Sequence, residues 1–460
     1  MGLRPFCRAA HCFPTQVLLG PRADANDKIE STMNTRERFL EVMHFNPNVR
    51  TLKWEFGFWG ENIKQWYREG LPKKVGTNLP TRLTTVGASL YTAAWTYEWR
   101  RNRTYLEKFY GECEQTIELP DGIAIWGGAL YWPSQGFPIA LDVMDYFGFD
   151  KSTAMVPVEQ LFHPYFEPQV LAEDERYMTY VDVDGVKRQF HKEERVIPSA
   201  LEWPIKDWDT WLQIKEERLR LDDIRARFPA NWGWWVEEYK NRDYPLAVGG
   251  YPCGFFGTLV HLIGYQNVFY LYYDQPDLVK DILDHLTTLW IAVWEEIMAD
   301  VEVDCAHIWE DMSSTMGTMV SPAHFEEFMA PCYRRITDFL RSKGVDIVLV
   351  DTDGNIEKLI PQFLAVGVTG MYPMETSAGM DVVKLRKQYP RFQMMGGVPK
   401  YDMALGPNRI EEFLEPVAAL LKYGGYVPFG DHCISPGVSW ENFRYYRNRL
   451  NEIIDSNGSI

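Results

Sequence analysis

Across the last two-thirds of the chain, short apolar, β-branched runs alternate with loops bearing Gly or Asp and then with amphipathic stretches of helical period. Residues 245–249 read as a strand leading through Tyr251-Pro252-Cys253-Gly254-Phe255-Phe256-Gly257 into a helix near 258–263. A long helix starts at Gln275-Pro276-Asp277, with Leu278, Ile282, Leu286, Leu289 and Val293 at helical spacing. After a strand at 303–308, Ser321 is placed to cap a helix with Pro322 in its first turn and Gly344 beyond its end. Residues 345–350 are almost continuously aliphatic, as suits a strand covered on both faces. The alternation continues as helix 356–365, strand 368–372, helix 382–388, strand 392–395, helix 409–422, strand 425–429 and a last helix from Ser439.

Repeated βα units favour a parallel sheet with covering helices. About six of them in some 220 residues, with a further strand expected at 51–56, predict an α/β (β/α)8 TIM barrel rather than a doubly wound sheet. No G-x-G-x-x-G follows a strand, so a dinucleotide site has no support. Residues 85–200 break the rhythm and are aromatic-rich; within them Val181-Asp182-Val183-Asp184-Gly185-Val186 carries a hairpin signal. They are expected to form an insertion over the barrel mouth, within a domain spanning 33–460. The Trp-rich runs 54–66 and 232–235 could line a pocket or simply fill the core. Residues 1–32 read as a disordered leader, because Val17-Leu18-Leu19 is too short for a signal-peptide core. Met33 is then a possible natural start, with Thr35 capping the helix that follows.

Composition narrows the class. The 460 residues carry 47 Lys and Arg against 64 Asp and Glu, a net charge of −17 that disfavours nucleic acid and anionic membranes. No apolar run reaches the length of a membrane span. Seven scattered cysteines argue against a disulfide framework and for a reducing cytoplasm.

Catalytic groups of such a barrel gather at the C-terminal ends of its strands. Here those ends are acidic: His307-Ile308-Trp309-Glu310-Asp311, Asp351-Thr352-Asp353-Gly354, Met374-Glu375 and Asp431-His432-Cys433. Like charges crowded round one mouth call for a cation, shared protons or a basic substrate. Asp351 and Asp353, spaced i and i+2, could chelate a divalent metal together with His432, and two carboxylates with an imidazole suit zinc, iron or manganese. The alternative is that Asp353 caps the next helix and Asp351 accepts a backbone hydrogen bond. Glu310, Asp311, Glu375 and His307 are the candidate catalytic groups; alternation along the strand keeps Glu310 and Asp311 from both facing the mouth, unless the strand ends before them. Cys433 is a weaker ligand candidate. Glu310 and Glu375 could instead form the carboxyl pair of a glycoside hydrolase.

The segments GYPCGFFGTLVHLIGYQNV, HIWEDM, VLVDTDGNIEKLI, MGGVPK and GGYVPFGDHCISPGVSWENF resemble the uroporphyrinogen decarboxylase-like superfamily over about residues 33–455. That superfamily includes the haem-pathway decarboxylase and cobalamin-dependent methyltransferases. The resemblance implies a (β/α)8 barrel with its site in the C-terminal cleft. His432, Ile434 and Pro436 match the decarboxylase's last motif, but the arginine-rich loop that holds its polycarboxylate substrate is replaced by Trp54-Glu55-Phe56-Gly57-Phe58-Trp59-Gly60. In the methyltransferase branch, Asp351-Thr352-Asp353-Gly354 falls on the zinc-binding His-x-Cys-Gly, and His432 on the site of a further cysteine. The resemblance thus implies a metal-assisted methyltransferase acting on a small methylated substrate, zinc as the suspected ion, and a corrinoid carried by a partner protein. Decarboxylation of a porphyrinogen or a smaller aromatic or pyrrole acid is the alternative.

Overall fold

A computed structural model of the chain describes residues 33–72, 130–131, 140–167, 169–191, 198–230 and 232–457. The expected leader at 1–32 lies outside them, as does most of the stretch 85–139.

Seven strands form one parallel sheet: β1 (Ala154–Met155), β2 (Leu246–Gly249), β3 (Cys305–Trp309), β4 (Val348–Asp351), β5 (Gly370–Met374), β6 (Gln393–Gly396) and β7 (Tyr426–Val427). Neighbours in the sheet are neighbours in sequence, and every pair is parallel. Side-chain alternation splits the core in two. Leu246, Val248, Ala306, Ile308, Val348, Val350, Met371 and Met394 join the large apolar layer beneath the helices. Ala247, Cys305, Leu349, Tyr372, Met395 and Val427 meet one another in a second cluster, together with Leu52, Trp54 and Phe56. Strands from β2 to β7 can share one interior only if the sheet curls round it, which is consistent with a TIM-like barrel.

The expected strand at 51–56 forms no regular ladder, yet it lies between the two ends of the sheet. Thr51 Oγ1 donates to the Tyr426 carbonyl at 2.6 Å on one side. On the other, Lys53 N donates to Asp150 and Trp54 Nε1 to the Lys151 carbonyl. Helix α1 (Thr35–Met43) adds Phe39, Val42 and Met43 to the interior cluster. Its cap is Asn34 rather than Thr35: the Asn34 side chain accepts from Glu37 N, and Glu37 returns a bond to Asn34 N.

The proposed insertion is not one uninterrupted block. Residues 154–155 are a strand of the main sheet, and Val143 and Phe147 from helix Ala140–Phe147 are buried in the main core. Two residues are too short a run to display a period, so sequence patterning passes over β1. The hairpin expected at 181–186 is present. Val181 pairs with Lys187 in a four-stranded antiparallel sheet drawn from residues 169–191 and 199–202, and Gly185 takes φ +76° in the turn. Of the tryptophans, Trp54 reaches the interior, whereas Trp66 stacks on Phe443 and Trp235 lies against Tyr239 in the core.

Candidate active site

Cys305 and His307 are buried inside the sheet, and past the end of β3 at Trp309 the chain parts Glu310 from Asp311. Glu310 turns outward and is fully enclosed. Its carboxyl accepts from Phe255 N at 2.9 Å, Phe256 N at 2.7 Å and Gly257 N at 3.1 Å, the first turn of helix α2 (Phe255–Ile263), and from the Tyr333 hydroxyl. Glycine permits this approach: a Cβ on Gly254 would lie 1.5 Å from the Trp309 carbonyl oxygen. Burial pushes the Glu310 carboxyl up to about 7 although four donors oppose that rise. The arrangement makes Glu310 an internal cap for α2. It therefore does not share an open space with Glu375, as a glycosidase pair would.

Asp311 turns inward, in the left-handed region at φ +43°. It meets Asp353, whose backbone N–H donates to Asp311 Oδ1 at 3.4 Å. Burial and the neighbouring Asp353 charge raise Asp311 to about 7. Asp351 is raised well above its ordinary value by burial and then by Asp311 and Asp353. Burial acts on Asp353 too, but His432 Nε2 stands 3.3 Å from its Oδ2 and the net shift is downward. One protonated acid, Asp351, and one that titrates near pH 7, Asp311, thus stand beside a charged carboxylate paired with histidine.

Glu375 lies at the rim, where Lys400 Nζ approaches Oε1 at 3.1 Å and Gly354 N donates to Oε2 at 2.9 Å. Lys400 is itself buried, and its backbone N–H donates to Asp431 Oδ1 at 3.0 Å. Asp431 in turn accepts from Thr376 N at 2.9 Å. This Lys400, Glu375 and Asp431 network ties together the loops after β4, β5, β6 and β7. The lysine stands in MGGVPK, where the sequence offers no partner for it; Glu375 is 25 residues away.

A pocket opens from these strand ends into the sheet interior. It is walled by Trp54, Phe56, Met155, Trp309, Met395 and Phe429, with Tyr251, His307, Asp351 and Tyr372 among its polar groups. Glu55 also reaches it but is bound to Arg447 at 2.9 Å, to Tyr446 and to Gly430 N. Among the described residues no Arg or Lys lines this pocket.

The metal expectation meets a geometric test. His432 and Asp353 are together, but among the described residues no group of three or more His, Cys, Asp or Glu side chains could hold a metal ion. Asp351 does not complete the set, and burial raises the Cys433 thiol well above its ordinary value. The residues present do not fit a three-ligand site.

Residues 240–453 match the family model for uroporphyrinogen decarboxylase (URO-D). No curated protein matches the chain. Among solved structures, a candidate vitamin-B12-independent methionine synthase from Listeria monocytogenes is similar at 9% identity with a TM-score of 0.28. That match covers 48% of this chain and 69% of the other.

Proposed function

Because the chain is, through residues 240–453, a member of the uroporphyrinogen decarboxylase-like superfamily, we propose that it is an acid-catalysed methyltransferase for a small methylated substrate. The observation that carries this reading is Asp351, which lines an aromatic pocket and is held protonated by burial, with Asp311 beside it raised to about 7.

The reaction needs a proton for the leaving heteroatom. The bond from the methyl carbon to the substrate oxygen breaks, its electron pair stays on the oxygen, and the proton of Asp311 or Asp351 neutralises that oxygen. The methyl carbon takes a new electron pair from the acceptor, a reduced corrinoid presented by a partner protein. The acid is then re-protonated from water at the mouth. Asp353 stays charged beside His432 and helps keep Asp311 protonated. No step is routed through a metal.

The test is a panel of small methyl ethers and methyl thioethers incubated with the enzyme and free reduced corrinoid, followed by the absorbance change on corrinoid methylation. Turnover is expected, falling as pH rises through about 7, the value of Asp311, with Asp311→Asn slower by roughly 10²-fold or more. A second reading, decarboxylation of a small aromatic acid, draws on the apolar walls, which would strip water from a bound carboxylate. Carbon dioxide release from such acids, with no methyl transfer, would establish it in place of the first.

A further inference from the structure

His307 sits inside the pocket on β3, 4% exposed. Its Nδ1 lies 2.6 Å from the Tyr372 hydroxyl, and its Nε2 has no hydrogen-bond partner. Counting donors and acceptors fixes the tautomer. If Nδ1 carried the proton and donated to Tyr372, the buried tyrosine hydroxyl would need another acceptor, and Nε2 would be an unmet acceptor. If the Tyr372 hydroxyl donates to Nδ1, the hydroxyl is satisfied and only one group, an Nε2–H donor, is unmet. The second arrangement leaves fewer buried polar groups unpaired and is the stable one.

We propose that His307 Nε2–H is the substrate's anchor, and that the pocket takes an uncharged aromatic molecule bearing one oxygen acceptor, such as an aryl ether. The inference rests on the methyltransferase reading of this pocket and names its substrate class. Burial pushes His307 down to about 4, so it donates as a neutral imidazole and offers an anion no charge. With no Arg or Lys among the described lining residues, nothing there balances a carboxylate, and burying one unpaired is costly. Trp54, Phe56, Trp309 and Phe429 suit a flat apolar ring, and an ether oxygen accepts one hydrogen bond without needing to donate one. Tyr372 acts through His307 by holding its tautomer.

The experiment compares four ligands of one ring size by calorimetry on the full chain: methoxybenzene, toluene, benzoate and phenyltrimethylammonium. Methoxybenzene should bind at least about tenfold tighter than toluene or benzoate, a gap of about 1.4 kcal/mol. His307→Phe should bring methoxybenzene to the level of toluene and leave toluene unchanged. Because His307 is buried, the wild type supplies a second readout: its 15N resonances should report a protonated Nε2 that shifts on adding methoxybenzene. Equal binding of methoxybenzene and toluene, tightest binding of benzoate or the ammonium ion, or an unprotonated Nε2 would overturn the proposal. Methoxybenzene binding without methyl transfer to corrinoid would refute the function and leave this inference standing. Methyl transfer with full affinity retained in His307→Phe would do the reverse.

Discussion

Replacing Glu310 by Gln separates a structural role for this carboxyl from a chemical one. The wild-type carboxylate accepts from Phe255 N, Phe256 N, Gly257 N and the Tyr333 hydroxyl. Gln keeps the volume but has one acceptor oxygen; its NH₂ group then faces donors, so about two of the four bonds are lost. Bonds to a charged acceptor are worth about 1.5–3 kcal/mol each, and relief of the buried charge offsets part of their loss. A net destabilisation of about 2–3 kcal/mol follows, read in urea unfolding at 25 °C. In a chain this long that corresponds to only about 2–3 °C in melting temperature, because the unfolding entropy is large. Tyr333→Phe removes one donor and should cost about 1 kcal/mol. The double variant should fall short of the sum by about 1 kcal/mol, since both changes remove the same bond. An unchanged unfolding midpoint in Glu310→Gln, with turnover lost by two orders of magnitude, would refute the capping role and restore Glu310 as a proton donor.

Asp311 sets a pH dependence with a definite sign. Its folded pKa, about 7, lies above the ordinary 3.8, so its contribution to stability is complete below about pH 4 and declines as pH rises through 7. The shift is worth at most about 4 kcal/mol, which the partial exposure of Asp311 reduces to about 2; Asp311→Asn should therefore flatten the stability profile and melt higher than wild type at pH 8. Lys400→Met leaves Glu375 and the fully buried Asp431 without their cation and should cost about 3–5 kcal/mol in chemical denaturation. Asp353→Asn removes a half-exposed partner of His432 and should change stability by less than about 1 kcal/mol, while lowering the pKa of Asp311, read by 13C carboxyl titration. Uroporphyrinogen should show no conversion to coproporphyrinogen above background, since no described lining residue is a cation; steady conversion would overturn that argument.

The sequence by itself determined the parallel βα order, because each unit carries a local period that burial on one or two faces imposes. Alternation suggested that Glu310 and Asp311 point to opposite sides, but β3 ends at Trp309 and Asp311 takes φ +43°, so it is the turn after the strand that parts them. The sequence placed acidic groups at the strand ends but could not say which were open to the pocket. That depended on partners distant in sequence: Tyr333 and the first turn of α2 for Glu310, Lys400 for Glu375, His432 for Asp353. Residues 51–56 look like a strand because polar and apolar residues alternate along them, yet only tertiary contacts with Tyr426, Asp150 and Lys151 fix how they sit against the sheet. Short β1 was invisible for want of a period, and whether three His, Cys, Asp or Glu side chains converge, as none do among the described residues, is something that spacing along a chain does not fix. The protonation of Asp311 and Asp351 likewise belongs to the folded protein, because only burial and the converging charges of separate strands raise a carboxyl so far.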